Sequence, residues 1–343
     1  MRLLMVVPSL KKSGPINVAL NLCVYIKHVN PDVMIDLLAF NSGELKSEFE
    51  ACCEQVFIVR PSFNLIKFLM KAKLYDIVHS HCLLPDFFSA FFVKKIKKIS
   101  TLHNYINVDY VFDKGYLQGT LMSWVHKLSL KKMDRIIACS ESVSTFVSRE
   151  FNFVTTFVRN GVLEGRRGQA KINGQKYIMV GVFNKRKNHE VAIQGFVDAR
   201  KENSELIILG DGPYFDEVRG RFYKEKNVKF MGNVANPRLY LAQSDVFLSS
   251  SCAEGLPMAL IEAMSESLTY ILSDIAPHRE INNMDIYSGF VGSNEPEFFR
   301  DTISRLSDDD LIKMKTLSKI VYSENLTAEK MALGYLRNYK DMI

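Results

Sequence analysis

The stretch "SSCAEGLPMALIEAM", residues 250–264, carries two glutamates, Glu254 and Glu262, on either side of an apolar run that also holds Gly255 and Pro257. The residues before it, "DVFLSSS" (245–251), read as a strand, and "CAEGL" reads as a tight turn. Pro257 suits the first position of a helix, because its missing N–H would have no partner there anyway. Free N–H groups at a helix start favour an anion such as a diphosphate, and Gly255 allows close backbone approach. Glu254 lies in the turn. Glu262 lies within "PMALIEAM", where a lone acid in an apolar helix needs a partner. Ribose hydroxyls are one such partner. The plainer alternative is that both acids merely sit well near a helix N-terminus.

The same alternation runs through the whole chain. In the first half the strand candidates are LLMVVPS, MIDLLAF, VFIVR, DIVHSH, KISTLHN, RIIACS and TTFVRN, with amphipathic stretches such as INVALNLCVYI and LMSWVHKLSLKKM between them. This is the βαβ rhythm of a parallel sheet covered by helices. It breaks at "EGRRGQAKINGQK" (164–176), a polar, glycine-rich stretch that reads as an interdomain linker. It restarts with YIMVGVF, ELIILGDG, VKFMGNV, DVFLSSS, TYILSDI and SGFVG. The expected architecture is α/β, with two doubly wound Rossmann-like domains facing a central cleft. Residues 1–163 form the first, 164–324 the second, and a last helix over about 325–343 returns to the first. In such sheets ligands bind outside the carboxyl ends of the strands, so the informative residues should follow strands.

Composition narrows the class. A length of 343 residues suits two domains. No segment approaches the roughly 18 apolar residues of a membrane span. The start, MRLLMVVPSL, reads as a strand rather than a signal peptide. The cysteines form no C-x-x-C pair, as expected of buried thiols in a reducing cytoplasm. Residues 1–163 hold 20 Lys/Arg and 13 Asp/Glu, a net of +7, whereas residues 164–343 hold 24 and 25, a net of −1. Part of the excess is Lys94, Lys95, Lys97 and Lys98, either a solvated helix end or a patch for anionic lipid or a phosphorylated acceptor. No aromatic residues interleave with these lysines, which disfavours nucleic acid.

Other candidate residues also follow strands. Arg186 and Lys187, in a loop between a strand and a helix, could hold two phosphates and neutralise charge on a leaving group. Gly210, Asp211, Gly212 and Pro213 make a turn after ELIIL, and Ser251 and Cys252 adjoin Glu254. In "KKSGPINVA", Gly14 sits in the loop after the first strand. His79 and His81 are two apart in a strand and so share a face. One could be core and the other cleft-facing. Cys82 follows them, but no fourth ligand is evident, so no metal site is expected. "SDDDL" (307–311) reads as a helix cap with acids in the first turn, not as a metal-binding D-x-D at a strand end.

Taken together, these residues resemble the retaining GT-B glycosyltransferases of family 4 (glycosyl transferases group 1), bacterial polysaccharide type. E-G-L-P-x-x-x-x-E-A, Glu254 to Ala263, is similar to that family's E-x7-E signature. "VGVFNKRKNHEVAI", "ILGDGP", "VKFMGNV", "SDVFLSS" and "SDIAPHREI" resemble its second-domain segments in order. "DIVHSHCLLPDFFSA", "STLHN", "DRIIACS" and "VRNGV" do the same for the first. The resemblance implies a nucleotide-sugar donor, UDP-linked, held by the second domain. It places Lys187 as the essential lysine, with Arg186 beside it on the diphosphate, and Glu262 on ribose. Glu254, Gly255, Leu256 and Pro257 line the sugar and phosphate, with Ser251 in the donor pocket. Gly210, Gly212 and Pro213 wall the base, Gly14 approaches the donor, and His103 contacts the transferred sugar. The family's usual arginine beside the glycine is Val182 here, the clearest departure. The acceptor would be a glycan or a lipid diphosphate at the inner face of the cytoplasmic membrane, and the enzyme cytoplasmic or peripheral there. No metal or other cofactor and no nucleic-acid partner are expected. A nucleotide-sugar epimerase of the same fold and a non-catalytic scaffold remain as alternatives.

Overall fold

A computed structural model describes residues 1–165 and 174–343. Most of the 164–176 segment read as a linker lies outside the described residues. The chain divides into two compact units: Met1–Gly161 joined by Thr327–Ile343, and Val162–Leu326.

The first unit holds strands β1 (Arg2–Val7), β2 (Met34–Ala39), β3 (Gln55–Ile58), β4 (Ile77–His81), β5 (Lys97–Leu102), β6 (Arg135–Ala138) and β7 (Thr156–Phe157). They form one parallel sheet in the order β3-β2-β1-β4-β5-β6-β7. The second holds β8 (Lys176–Val180), β9 (Glu205–Leu209), β10 (Val228–Gly232), β11 (Val246–Ser249), β12 (Thr269–Ser273) and β13 (Phe290–Gly292). These are also parallel, in the order β10-β9-β8-β11-β12-β13. Every run read as a strand in the sequence is one, although TTFVRN contributes only two residues. The runs are near-continuously apolar because helices cover both faces of a parallel sheet: β12 is buried along its whole length.

Each sheet has a switch point where the strand order reverses, between β1 and β4 and between β8 and β11. Neighbouring strands there send their chains to opposite faces, which opens a crevice at their carboxyl ends. Val246 pairs with Tyr177 and Phe247 with Ile178, so the loops after β8 and β11 leave the sheet side by side.

The lysine run lies in the turn after a helix and in the start of the next strand rather than at a helix end. The helix Leu83–Phe92 stops before it, Lys95 has a left-handed φ of 61°, and Lys97 and Lys98 open β5. Ser307 caps the helix Asp308–Asn325 by accepting from the Asp310 N–H, with three aspartates in its first turn.

The last helix, Ala328–Lys340, belongs to the first unit. Its Tyr335 and Tyr339 are fully buried. The Tyr339 hydroxyl lies 2.7 Å from Nδ1 of His79, and the Tyr335 hydroxyl 2.8 Å from Oγ1 of Thr101. Thr101 in turn sits 2.7 Å from Nε2 of His79. Burial holds this imidazole neutral, with its pKa down at about 3, so both ring nitrogens depend on these hydroxyls for hydrogen bonds. Tyr339→Phe removes one partner from a fully buried ring. It should cost about 1–3 kcal/mol of stability, measured by urea unfolding.

Candidate active site

The loop after β8, residues 181–188, is wound tightly by its own polar groups. The Asn184 side chain accepts from the Lys187 N–H at 3.0 Å, and Asn188 adopts a left-handed φ of 47° at the start of the helix His189–Ala199. A residue that tolerates this conformation is required there, and asparagine does. The loop is laced to the one after β11: Cys252 N–H donates to the Arg186 carbonyl at 2.7 Å, and the Ser250 hydroxyl to the Asn188 carbonyl at 2.6 Å. On the other side it is laced to the Gly210–Pro213 turn, where Phe183 N–H donates to Asp211 O and Tyr214 N–H to Phe183 O. Gly210 and Gly212 have φ of +131° and +152°, and a Cβ on them would meet Gly181 O at 1.9 Å and Phe183 O at 2.6 Å. Both must therefore be glycine for the two loops to touch.

This scaffold brings Arg186, Lys187, Ser251 and Glu254 together. Glu254 is 6 % exposed. Its Oε1 accepts from Lys187 Nζ at 2.5 Å and from the Ser251 hydroxyl at 2.8 Å, and its Oε2 from Arg186 Nη1 at 2.9 Å. Arg186 Nη1 also donates to the Ala253 carbonyl at 2.6 Å. Burial opposes the carboxylate's charge, a penalty of several kcal/mol for an unpaired ion. Lys187 and Arg186 outweigh it and, with the serine bond, hold the carboxyl at about 2. The three charges sum to +1, so the cluster can accept an anion.

The remaining second-unit residues surround it. Gly255, Leu256 and Pro257 are buried, and Glu262 is half-buried on the helix Met258–Ser265. That helix starts one residue later than the sequence suggests: Pro257 is its cap, with an extended ψ of 108°, rather than its first turn. Val182, at the usual arginine position, is exposed, while Lys187 lies over Gly181, its Cε 3.3 Å from where a Cβ would be. A pocket against β8 and β11 is lined by Val180, Lys187, His189, Ser249, Ser251 and Pro257 among others. His189, stacked on Phe183 at 4.1 Å, and fully buried His278 escaped the sequence reading. Each was legible only as part of a quoted run, His189 in VGVFNKRKNHEVAI and His278 in SDIAPHREI. His278 Nδ1 lies 2.8 Å from the Ser273 carbonyl and so carries the proton, leaving Nε2 buried with no partner among the described residues. Burial lowers its pKa to about 4, against that carbonyl.

In the first unit, His79 and His81 are both fully buried, with rings 4.4 Å apart, so neither is the open-facing member of a pair. The last helix covers His79 through Tyr339 and Tyr335, while His81 is enclosed by His79, Met5 and His103. His81 Nε2 lies 3.1 Å from Met5 Sδ, and its Nδ1 lies 2.8 Å from His103 Nε2. Sulfur can only accept, so Nε2 of His81 carries the proton, and His103 Nε2 donates to the bare Nδ1. Burial keeps His103 neutral, its pKa down at about 3. Its Nδ1 is then an acceptor suited to a hydroxyl. His103 is partly exposed just beyond β5. Gly14 opens the helix Gly14–Val29, and a Cβ there would meet nothing within 4 Å, so the backbone at this glycine lies open.

Known proteins resemble the chain along most of its length. The family described as "Glycosyl transferases group 1" matches residues 166–324, and "Glycosyltransferase Family 4" matches residues 53–163. The capsular polysaccharide biosynthesis glycosyltransferase CapH of Staphylococcus aureus is 27% identical over 296 residues, 80% of each chain. The UDP-Gal:alpha-D-GlcNAc-diphosphoundecaprenol alpha-1,3-galactosyltransferase of Escherichia coli is 22% identical over 87% of each chain. Among solved structures, Anabaena HepE in complex with UDP and glucose superposes with a TM-score of 0.84 at 16% identity, covering 99% of this chain and 100% of that one.

The Glu254 carboxyl is held at about 2 in the folded protein, against 4.5 ordinarily. Unfolding therefore takes up a proton between these values, and stability from this group is complete above pH 4.5 and lost as pH falls towards 2. Urea unfolding of wild type and Glu254→Gln should show a stability gap that is widest at pH 5 and narrows at pH 3.5.

Proposed function

Because the chain belongs to the GT-B glycosyltransferases of group 1 and family 4, we propose that it moves a sugar from a UDP-linked donor to a glycan or lipid-diphosphate acceptor in bacterial surface polysaccharide assembly. The observation that carries this reading is the buried, ionised Glu254 bound by Lys187, Arg186 and Ser251 at the switch point of the second sheet. Relatives named for capsule synthesis and for a diphosphoundecaprenol acceptor support the biological setting. A fold neighbour bound to UDP supports the nucleotide. No described helix is long and apolar enough to cross a membrane, and we place the reaction on the cytoplasmic side.

The roles follow from the charges. Lys187 and Arg186 bind the donor diphosphate and stabilise the charge on it as the sugar leaves, the task a metal ion performs elsewhere. Arg186 takes the place of the arginine that Val182 lacks. Glu254 fixes the two cations in advance, so little reorganisation is needed when the donor binds. Its two oxygens offer roughly four lone-pair sites, and three bonds leave one for a sugar hydroxyl. A carboxylate so engaged, and so weakly basic, is a poor nucleophile. With configuration retained, as the family resemblance implies, the reaction then proceeds without a glycosyl-enzyme. The acceptor hydroxyl attacks the anomeric carbon on the face from which the diphosphate leaves. The old C–O bond breaks as the new one forms, and a departing phosphate oxygen takes the hydroxyl proton. Ser251, Gly255, Leu256 and Pro257 line the donor. Gly210, Gly212 and Pro213 wall its base, and Glu262 accepts from the ribose hydroxyls. The first unit binds the acceptor, with the bare Nδ1 of His103 accepting from a sugar hydroxyl and the open backbone at Gly14 admitting the donor.

Nucleotide release from UDP-, GDP- and ADP-sugars by the purified protein tests this. Slow release from one donor, persisting in EDTA, is expected. Glu262→Ala should abolish it, and Lys187→Ala should lower it about 10²–10³-fold. A suitable acceptor should accelerate release. Conversion of the donor to an epimer without any acceptor would favour the epimerase instead.

A further inference from the structure

One face of the first unit is apolar and unaccounted for by the sheet, the core or the site. The helix Tyr116–Leu130 packs on the helix Ile106–Lys114 and on Leu83–Phe92 through its inner side. Its outer side carries Leu117, Leu121 and Trp124, which are 83%, 61% and 58% exposed. Spacings of four and three place all three on one stripe of the helix. Tyr116 and, from the preceding helix, Phe112 are exposed beside them. Isolated surface leucines need no explanation, but a contiguous stripe with the chain's sole tryptophan does.

The charges say what covers it. Between Asp113 and Asp134 the sequence holds four lysines, at 114, 127, 131 and 132, and no acid. Of these, Lys114, Lys131 and Lys132 are exposed. A second copy of this chain laid on the stripe would bring lysines against lysines. An anionic lipid surface supplies both an apolar layer for the leucines and headgroup charge for the lysines. Tryptophan and lysine at the edge of an apolar stripe are what an interfacial helix needs. We propose that the outer face of Tyr116–Leu130 docks the protein on an anionic bilayer, with Leu117, Leu121 and Trp124 entering the headgroup boundary. This extends the lipid-diphosphate acceptor of the proposed function. It differs from a purely electrostatic patch at Lys94–Lys98, because it requires apolar insertion.

Trp124 makes the test direct, since all tryptophan emission comes from the stripe. The full chain is mixed with phosphatidylcholine vesicles, with or without phosphatidylglycerol, in the absence of donor and acceptor. Anionic vesicles should shift the emission to the blue, protect it from acrylamide and sediment the protein, less so at high salt. Leu117→Ser/Leu121→Ser should weaken vesicle binding roughly tenfold or more while leaving nucleotide release from the donor unchanged, which also shows that the variant is folded. No emission shift with anionic vesicles overturns the proposal. So does undiminished binding of the double variant, which would assign the contact to lysines alone, or self-association that the double variant abolishes. A silent nucleotide assay together with an intact emission shift would instead remove the transferase reading and leave the docking surface standing.

Discussion

A buried carboxylate that stays ionised is the constraint on which the second unit is organised. Glu254 could not remain charged at 6 % exposure without Lys187 and Arg186, and it ties the tips of both cations to one point. The three residues come from two loops that are far apart in sequence. They meet because β8 and β11 are neighbours at the point where the strand order reverses. The pairing of two strands and the pairing of three charges are thus one geometric fact seen at two scales.

The backbone makes this arrangement stiff. Carbonyls of Arg186 and Asn188 are taken up by Cys252 and Ser250, and the far side of the same loop is clasped by the Gly210–Pro213 turn. Two glycines with left-handed φ let that turn approach to contact distance. The cations are therefore anchored at their main chains as well as at their tips, which is what a preorganised electrostatic site requires. A different solution operates in the first unit, where Met5 and His81 fix the tautomer of His103 and the hydroxyls of Tyr339 and Thr101 hold His79.

The strands were legible because parallel strands buried on both faces leave continuous apolar runs, and all of these runs stand where the sequence put them. The loop residues Arg186, Lys187, Ser251 and Glu254 were legible as a set from their positions after strands and from the family resemblance. Their mutual pairing was not, since a sequence does not say which acid meets which base. Pro257 was placed one position too deep because a proline satisfies a cap nearly as well as a first turn. His79 and His81 were read as a pair with one open member. Strand periodicity puts them on one face but cannot say that Tyr335 and Tyr339 of the last helix will cover His79, or that Met5 and His103 will close on His81. His278 was legible only as part of SDIAPHREI, because its environment is assembled from the end of β12 and the turn of helix after it.

Calorimetric titration of UDP into the protein, with EDTA present and with Arg186→Ala alongside, tests the central claim most directly. The account predicts metal-free binding to the wild type and a loss of at least tenfold in affinity for the variant, since Arg186 is read as one of two cations on the diphosphate. Equal affinity in the two proteins, or binding only when a divalent ion is added, would contradict it.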